Sequence, residues 1–146
     1  MRNSTSVRSR REGIRIIGRH GNRTVRNAMV RYVRWLRQNF EFPIRVPVYL
    51  LRDERFDTID GVTVVASFFA PFDRNVEPRI RIATGDYASL RRERGRDDAL
   101  ASFLASLSHE VLHYWQWIET GETSEVGVAQ KAVAMLRMYE KTVDHP

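Results

Sequence analysis

The segment from residue 97 to residue 119 constrains the fold of this chain most, because it carries two distinct faces at helical spacing. Its large apolar side chains fall on one arc of a helix. His109 and His113 project from the opposite side, together with Ala105 and Gln116. Such a helix buries one face against a core and leaves the other for a polar site. The apolar arc consists of Leu100, Phe103, Leu104, Leu107, Val111, Tyr114, Trp115 and Ile118.

The two histidines belong to the pattern His109-Glu110-Val111-Leu112-His113, or HExxH. Residues four apart on a helix share a face, so both imidazoles can bind one metal ion. Glu110 lies one step around the helix, where its carboxylate can reach a water bound to that metal. The chain contains no cysteine, so any metal must be held by histidine and carboxylate groups. The alternative interpretation is an ordinary polar helix face.

A zinc site of this kind requires a third protein ligand after His113. We favour Glu125, because the alanines that follow it permit close packing of a second helix, which would return this carboxylate to the histidines. The alternative role of Glu125 is to complement the positive end of that helix dipole. The candidates are Glu119, Glu122, Glu125, Glu140, Asp144 and His145.

One helix and three strands are expected before this helix pair. Apolar residues recur at helical intervals over residues 23–40, after a short extended piece at residues 13–18. The alternating stretch FPIRVPVYLL predicts a strand near a sheet edge, because it contains Pro43 and Pro47. Residues 62–69 are typical of a largely buried strand, and PRIRIAT predicts a third strand.

The two C-terminal helices complete the expected order. Asp97 or Asp98 is expected to cap the first, which stops at Gly121, and Thr123 or Ser124 to cap the second. The predicted fold is therefore α+β, with an N-terminal helix, a twisted sheet of three or more strands, an active-site helix and a glutamate helix. We expect residues 13–146 to form a single domain after a basic flexible arm at residues 1–12.

The net charge of +6 is unevenly placed. Residues 1–40 contain eleven arginines and one acidic residue, so this segment carries +10 and the remainder −4. Guanidinium groups match phosphate geometry, so the N-terminal arginines predict a nucleic acid or another polyanion as a partner. The alternative is a solvated helix face. The arginines are Arg2, Arg8, Arg10, Arg11, Arg15, Arg19, Arg23, Arg26, Arg31, Arg34 and Arg37.

The hydropathy pattern predicts no membrane association. The longest apolar run, residues 62–70, is about half of the ~20 residues that a bilayer crossing needs. The N-terminal sequence MRNSTSVRSRRE has no apolar signal segment. A composition of 42% hydrophobic and 29% charged residues is typical of a soluble globular chain. We therefore expect a cytoplasmic protein.

The sequence SHEVLHYWQWIETGETSEVGVAQKAVAML resembles the active-site and glutamate helices of the gluzincin metallopeptidases. Its short spacing and its HYWQW continuation are most similar to the minigluzincins and related small metallopeptidases. The resemblance covers about residues 97–140 and implies a zincin-like fold for residues 13–146 and a zinc metalloendopeptidase acting on a peptide or protein. It implies His109, His113 and Glu125 as zinc ligands, and Glu110 as general base for a metal-activated water. Larger gluzincins have an aspartate where this chain has Ala129.

The same resemblance implies where an extended substrate would bind. In related zincins the strand before the active-site helix lines the cleft and pairs with the substrate. In this chain that strand comprises Arg79, Ile80, Arg81, Ile82, Ala83 and Thr84. The oxyanion-stabilising group is left open among Tyr87, Tyr139 and His145.

Two other hypotheses compete with a peptidase. One is a nucleic-acid-associated protein that binds through residues 1–40 and carries a SprT-like or vestigial metal site. SprT-like proteases share HExxH, but their third ligand is a histidine, and only His145 follows His113 in this chain. The other is an inactive or latent precursor whose arm or C-terminal tail occupies the cleft.

Overall fold

A computed structural model describes residues 13–142 and shows a mixed α and β fold. Within this range the chain forms four helices, one four-stranded sheet and one two-stranded ribbon. The predicted α+β class is thus confirmed at this level. The strands are β1 (Ile14–Ile17), β2 (Val46–Leu51), β3 (Phe56–Asp57), β4 (Thr63–Val64), β5 (Ala66–Phe69) and β6 (Arg79–Ala83), and the helices are α1 (Arg23–Asn39), α2 (Tyr87–Arg94), α3 (Arg96–Thr120) and α4 (Val128–Thr142).

The main sheet has the order β1-β2-β6-β5. Strands β1, β2 and β6 are parallel, and β5 runs antiparallel to β6. The expectation that the proline-containing strand lies near an edge is wrong, because β2 is an interior strand. The N–H of Val46 donates to the carbonyl of Gly13, which directly precedes β1. Because backbone direction alternates along a strand, the backbone nitrogen of the next residue, Pro47, is directed toward β6. Pairing with β6 begins only at Val48, so the missing proline N–H interrupts no ladder bond there.

The expected buried strand over residues 62–69 is divided at Val65. Its first part, β4, pairs with β3 in the ribbon, whereas its second part, β5, forms an edge of the main sheet. All four residues of β5 are half-buried, and Val62 and Val65 are exposed. The prediction of a largely buried strand is therefore wrong. An edge strand that packs only one face against helices leaves its other face in solvent.

The core lies between the sheet and helices α1, α3 and α4. Six of the eight residues on the predicted apolar arc of α3 are buried, while Trp115 and Ile118 are half-buried. Tyr32 of α1 bonds its hydroxyl to Ser108 of α3, whose own hydroxyl donates to the Leu104 carbonyl. Because the Ser108 hydrogen is used, Tyr32 must be the donor. This buried bond joins α1 to α3 one residue before the first histidine.

Three helix predictions require correction. Helix α3 begins at Arg96 with Gly95 as its N-cap, so Asp97 and Asp98 lie in its first turn and do not cap it. Carboxylates in a first turn still complement the helix dipole. Helix α2 was not expected, because Tyr87 is its one buried residue and it shows no apolar period. Helix α4 begins at Val128, later than the predicted caps.

The predicted end of α3 is confirmed. Gly121 is the C-cap, with a left-handed φ of 81°, and donates its N–H to the Trp117 carbonyl. No helix within residues 13–142 is both long and apolar enough to cross a bilayer. The predicted arm at residues 1–12 and the candidates Asp144 and His145 lie outside the described residues.

Candidate metal centre

Helix α3 presents both histidines on the face opposite its core-packing residues. Their rings lie with centroids 4.9 Å apart in an edge-to-face arrangement. The His109 side chain keeps 29% of its surface exposed, and the His113 side chain only 8%. The helical spacing of four residues produces this arrangement, as the sequence predicted.

Glu125 reaches both histidines from the connection between α3 and α4, which comprises residues 121–127. Its Oε1 lies 2.9 Å from Nε2 of His109, and its Oε2 lies 2.9 Å from Nε2 of His113. We call these three side chains the His–Glu cluster. Glu125 precedes α4 and is exposed over 75% of its side chain, so the expectation that it opens that helix is wrong.

The cluster matches the predicted ligand set residue by residue. Within residues 13–142, His109, His113 and Glu125 are the group of histidine and acidic side chains that could hold a metal ion, with ligand atoms within 4.8 Å of one another. Glu119, Glu122 and Glu140 are not part of it. Two imidazole nitrogens and a carboxylate are a donor set that suits Zn²⁺. The structure therefore supports a metal site here, while the identity of the metal stays a prediction.

His113 also contacts a residue that the sequence placed on the same helix face without a role. Its Nδ1 lies 2.9 Å from Oε1 of Gln116. Gln116 bonds in turn to the backbone of Ser124, in the connection that carries Glu125. Ala129, at the position where larger gluzincins have an aspartate, offers no polar group. The i, i+3 spacing of His113 and Gln116 on a helix was the signal for this contact.

Glu110 is buried beside the cluster and lines the same cleft as His109. Burial raises its pKa to about 7, an effect that the nearby His113 partly opposes and Glu125 reinforces. For Glu125, burial acts in the same direction but is outweighed by the attraction of His113 and by the hydrogen-bonding contacts with both rings, so its pKa is held below the usual range. The two carboxyl groups thus lie in different environments: Glu110 is buried, whereas Glu125 is exposed and contacts both histidines.

An open cleft of about 520 Å³ adjoins the cluster. Apart from Ser106, His109 and Glu110, its wall is apolar, with small side chains contributed by α3 and α4 and by the entry into β5. Tyr87 and Tyr139 do not line this cleft; Tyr87 packs against Phe103, and Tyr139 packs against Tyr32. The apolar wall consists of Val64, Val65, Ala66, Ala105, Ala129, Ala132 and Val133.

The segment expected to pair with substrate is already paired on both sides. Strand β6 lies between β2 and β5, so Arg79, Ile80, Arg81, Ile82 and Ala83 have no free edge. The prediction of substrate pairing along β6 is therefore corrected: among residues 13–142, the unpaired sheet edge beside the cleft belongs to β5. The sequence could not reveal this, because strand order depends on contacts between distant segments.

The side chains of this segment have structural contacts. Ile80 and Ile82 are buried in the core. The guanidinium groups of Arg79 and Arg81 lie over the rings of Phe69 and Phe56, each 4.5 Å from the ring centroid. Just after the strand, Thr84 accepts a hydrogen bond from the backbone of Asn22 and donates one to that of Leu51.

No protein family model matches the chain, and no match is found among curated proteins or solved structures. The resemblance to small gluzincins therefore stays a prediction based on the HExxH helix and the helix that follows it.

Proposed function

We propose that this protein is a zinc-dependent metallopeptidase of the small gluzincin type. The observation that carries this proposal is the convergence of His109, His113 and Glu125 beside a cleft whose wall includes His109 and the buried Glu110. Zinc held by two histidines and a glutamate supplies water activation and polarisation of a peptide carbonyl.

Glu110 is the proposed catalytic residue, acting as general base and then as general acid. Its carboxyl group is buried beside His109 at the wall of the cleft, where it could reach a water molecule bound to the metal. It accepts the proton of the attacking water and returns a proton to the leaving amine. The side chains around this carboxyl group in the cleft wall are mostly apolar, so few other polar groups compete for its proton.

The free edge of β5 is the proposed contact for an extended peptide. Ala83 donates its N–H to the Val65 carbonyl, which turns the backbone of Val65 toward β6. Because backbone direction alternates along a strand, the N–H and C=O groups of Ala66 and Phe68 point to the unpaired side. The entry into β5 also lines the cleft. A peptide added to this edge would therefore pass beside Glu110.

Replacement of Glu125 tests the metal site directly. Glu125→Ala removes one of the three ligands, so we expect zinc affinity to fall by more than about 100-fold, beyond the loss typical of outer-shell changes. Glu122→Ala, in the same connection and outside the cluster, is the matched control. Elemental analysis and chelator competition measure both variants. Equal affinity in the two variants, or no zinc uptake by the unaltered chain, would contradict the proposal.

A second candidate function is nucleic-acid binding by a basic surface on β1 and α1. We define this surface by its exposed arginines at positions 15, 19, 23, 31 and 34. Residues 13–40 contain no acidic side chain, and within the described range none of these arginines forms an ion pair. Burial and the nearby charges of Arg15 and Arg34 lower the pKa of Arg37, so positive charge is concentrated here. Phosphate groups would relieve that repulsion.

A further inference from the structure

Gln116 makes contacts on both sides of its side-chain amide. Its Oε1 lies 2.9 Å from Nδ1 of His113 and accepts the backbone N–H of Ser124 at 3.0 Å. Its Nε2 donates to the carbonyl oxygen of the same Ser124 at 3.0 Å. One side chain thus contacts a histidine of the cluster and the residue next to Glu125.

The backbone of Ser124 determines which end of the Gln116 amide is oxygen. A peptide N–H can only donate, and a peptide carbonyl can only accept. The amide oxygen must therefore face the Ser124 N–H, and the amide nitrogen must face the Ser124 carbonyl. The reversed orientation would place two donors together and two acceptors together, so this assignment does not depend on the histidine.

The amide orientation in turn determines the proton position on His113. Because an acceptor oxygen faces Nδ1, a neutral ring carries its proton on Nδ1 and directs the lone pair of Nε2 toward the cluster. That lone pair then lies 2.9 Å from a carboxylate oxygen of Glu125. Two acceptors at this distance repel each other unless a cation such as a metal ion lies between them. The contact therefore prepares Nε2 for a cation.

We propose that Gln116 is a positioning residue that holds two metal ligands at once. It fixes the tautomer and rotation of the His113 ring, and it ties residues 121–127 so that Glu125 meets the histidines. This inference rests on the proposed metal site. Outer-shell partners of metal ligands raise metal affinity by about 10–100-fold.

The test replaces Gln116 by residues that keep its length. Gln116→Met removes every hydrogen bond, and we expect zinc affinity, measured by chelator competition, to fall about 10–100-fold. Gln116→Glu keeps an acceptor for His113 and for the Ser124 N–H but loses the donor to the Ser124 carbonyl, so it should regain only part of the affinity. Gln130→Met, at an exposed position of α4, is the matched control and should not change it.

Two readouts separate positioning from general stability. In the zinc-loaded protein, the Nδ1 proton of His113 should give a slowly exchanging NMR signal that Gln116→Met abolishes. In the metal-free protein, the Ser124 amide should exchange faster in the same variant. Unchanged zinc affinity in Gln116→Met, or equal weakening in Gln116→Met and Gln116→Glu, overturns the inference while leaving the peptidase proposal intact. No zinc uptake by the unaltered chain overturns the peptidase proposal itself.

Discussion

The His–Glu cluster and the basic surface are both candidate binding sites for ions, but they are built in opposite ways. In the cluster, three side chains from one helix and one connection converge within 4.8 Å, and both oxygens of Glu125 face a ring nitrogen. On the basic surface, five exposed arginines are spread along β1, α1 and the turn between them, and their positions follow the solvent side of the helix. The cluster is thus directional, whereas the surface supplies a diffuse field.

This difference shows why the number of charges in a segment is a weaker guide to function than the convergence of several side chains on one point. Two arginines of the same segment serve the fold: Arg26 donates twice to the Gly18 carbonyl, and Arg37 donates to the Ile14 carbonyl. A count of charges cannot separate these from the exposed ones. In the cluster, each side chain has a partner that specifies its role.

The largest expected effect separates the two regions by chemistry. Glu110→Gln should lower hydrolysis of a denatured-protein substrate by about 10²–10⁴-fold, because it removes the proton acceptor. The variant should still bind zinc, since Glu110 is not part of the cluster, and should bind DNA as before. Glu119→Gln, at an exposed position of the same helix, is the control. Full activity in Glu110→Gln would refute its catalytic role.

Most of this cluster could be predicted from sequence, because helical spacing alone places His109 and His113 on one face. Glu125 was predicted as part of the second helix, but that helix begins only at Val128. Instead, Glu125 lies in a turn in which the Ser124 hydroxyl accepts the Val126 N–H and Gly127 has a left-handed φ of 74°. The carboxylate reaches the histidines through this turn. Gln116 was placed on the correct face, but its hydrogen bonds depend on a backbone that the sequence does not specify.

A moderate effect is expected when the diffuse field is reduced. Arg15→Gln, Arg23→Gln and Arg34→Gln together spare the two structural arginines. If the surface binds phosphates, the logarithm of duplex DNA affinity should fall linearly with the logarithm of salt concentration. Each lost phosphate contact should reduce the magnitude of that slope by about one, so the triple variant should reduce it by about three. Binding titrations over a series of salt concentrations measure the slope, and zinc affinity should not change. An unchanged slope would show that these arginines are solvent-exposed side chains that make no contact with DNA phosphates.

The fold was predictable to the extent that local patterns determine it. Helix α1 and the end of α3 at Gly121 follow from periodicity and from a left-handed glycine. The interior place of β2 and the division of residues 62–69 at Val65 were missed, because strand neighbours are chosen by long-range packing. Pro47 is tolerated inside the sheet only because β6 pairing starts one residue later.

The smallest expected effect concerns the hydrogen bond between Tyr32 and Ser108, which links α1, the helix of the basic surface, to α3, the helix of the His–Glu cluster. Tyr32→Phe removes the hydroxyl that donates to Ser108. The free energy of unfolding should fall by about 1 kcal/mol, as for a typical buried hydrogen bond. Zinc affinity and DNA affinity should both be unchanged, because the Ser108 hydroxyl still donates to Leu104. Denaturant titration measures the loss. A large decrease in zinc affinity would show that the two regions are coupled through α1.

The connection at residues 121–127 would give the proposed metal centre a distinct kinetic property. Two ligands belong to a helix whose opposite face is the core, whereas Glu125 belongs to a surface segment. Segments with little buried area open with a smaller free-energy cost than the helices they join. In a zinc-loaded chain, we therefore expect local opening of this segment, with α3 still folded, to govern the residence time of the ion. Substitution of Gly121, whose φ of 81° disfavours other residues, should shorten that residence time without unfolding the chain.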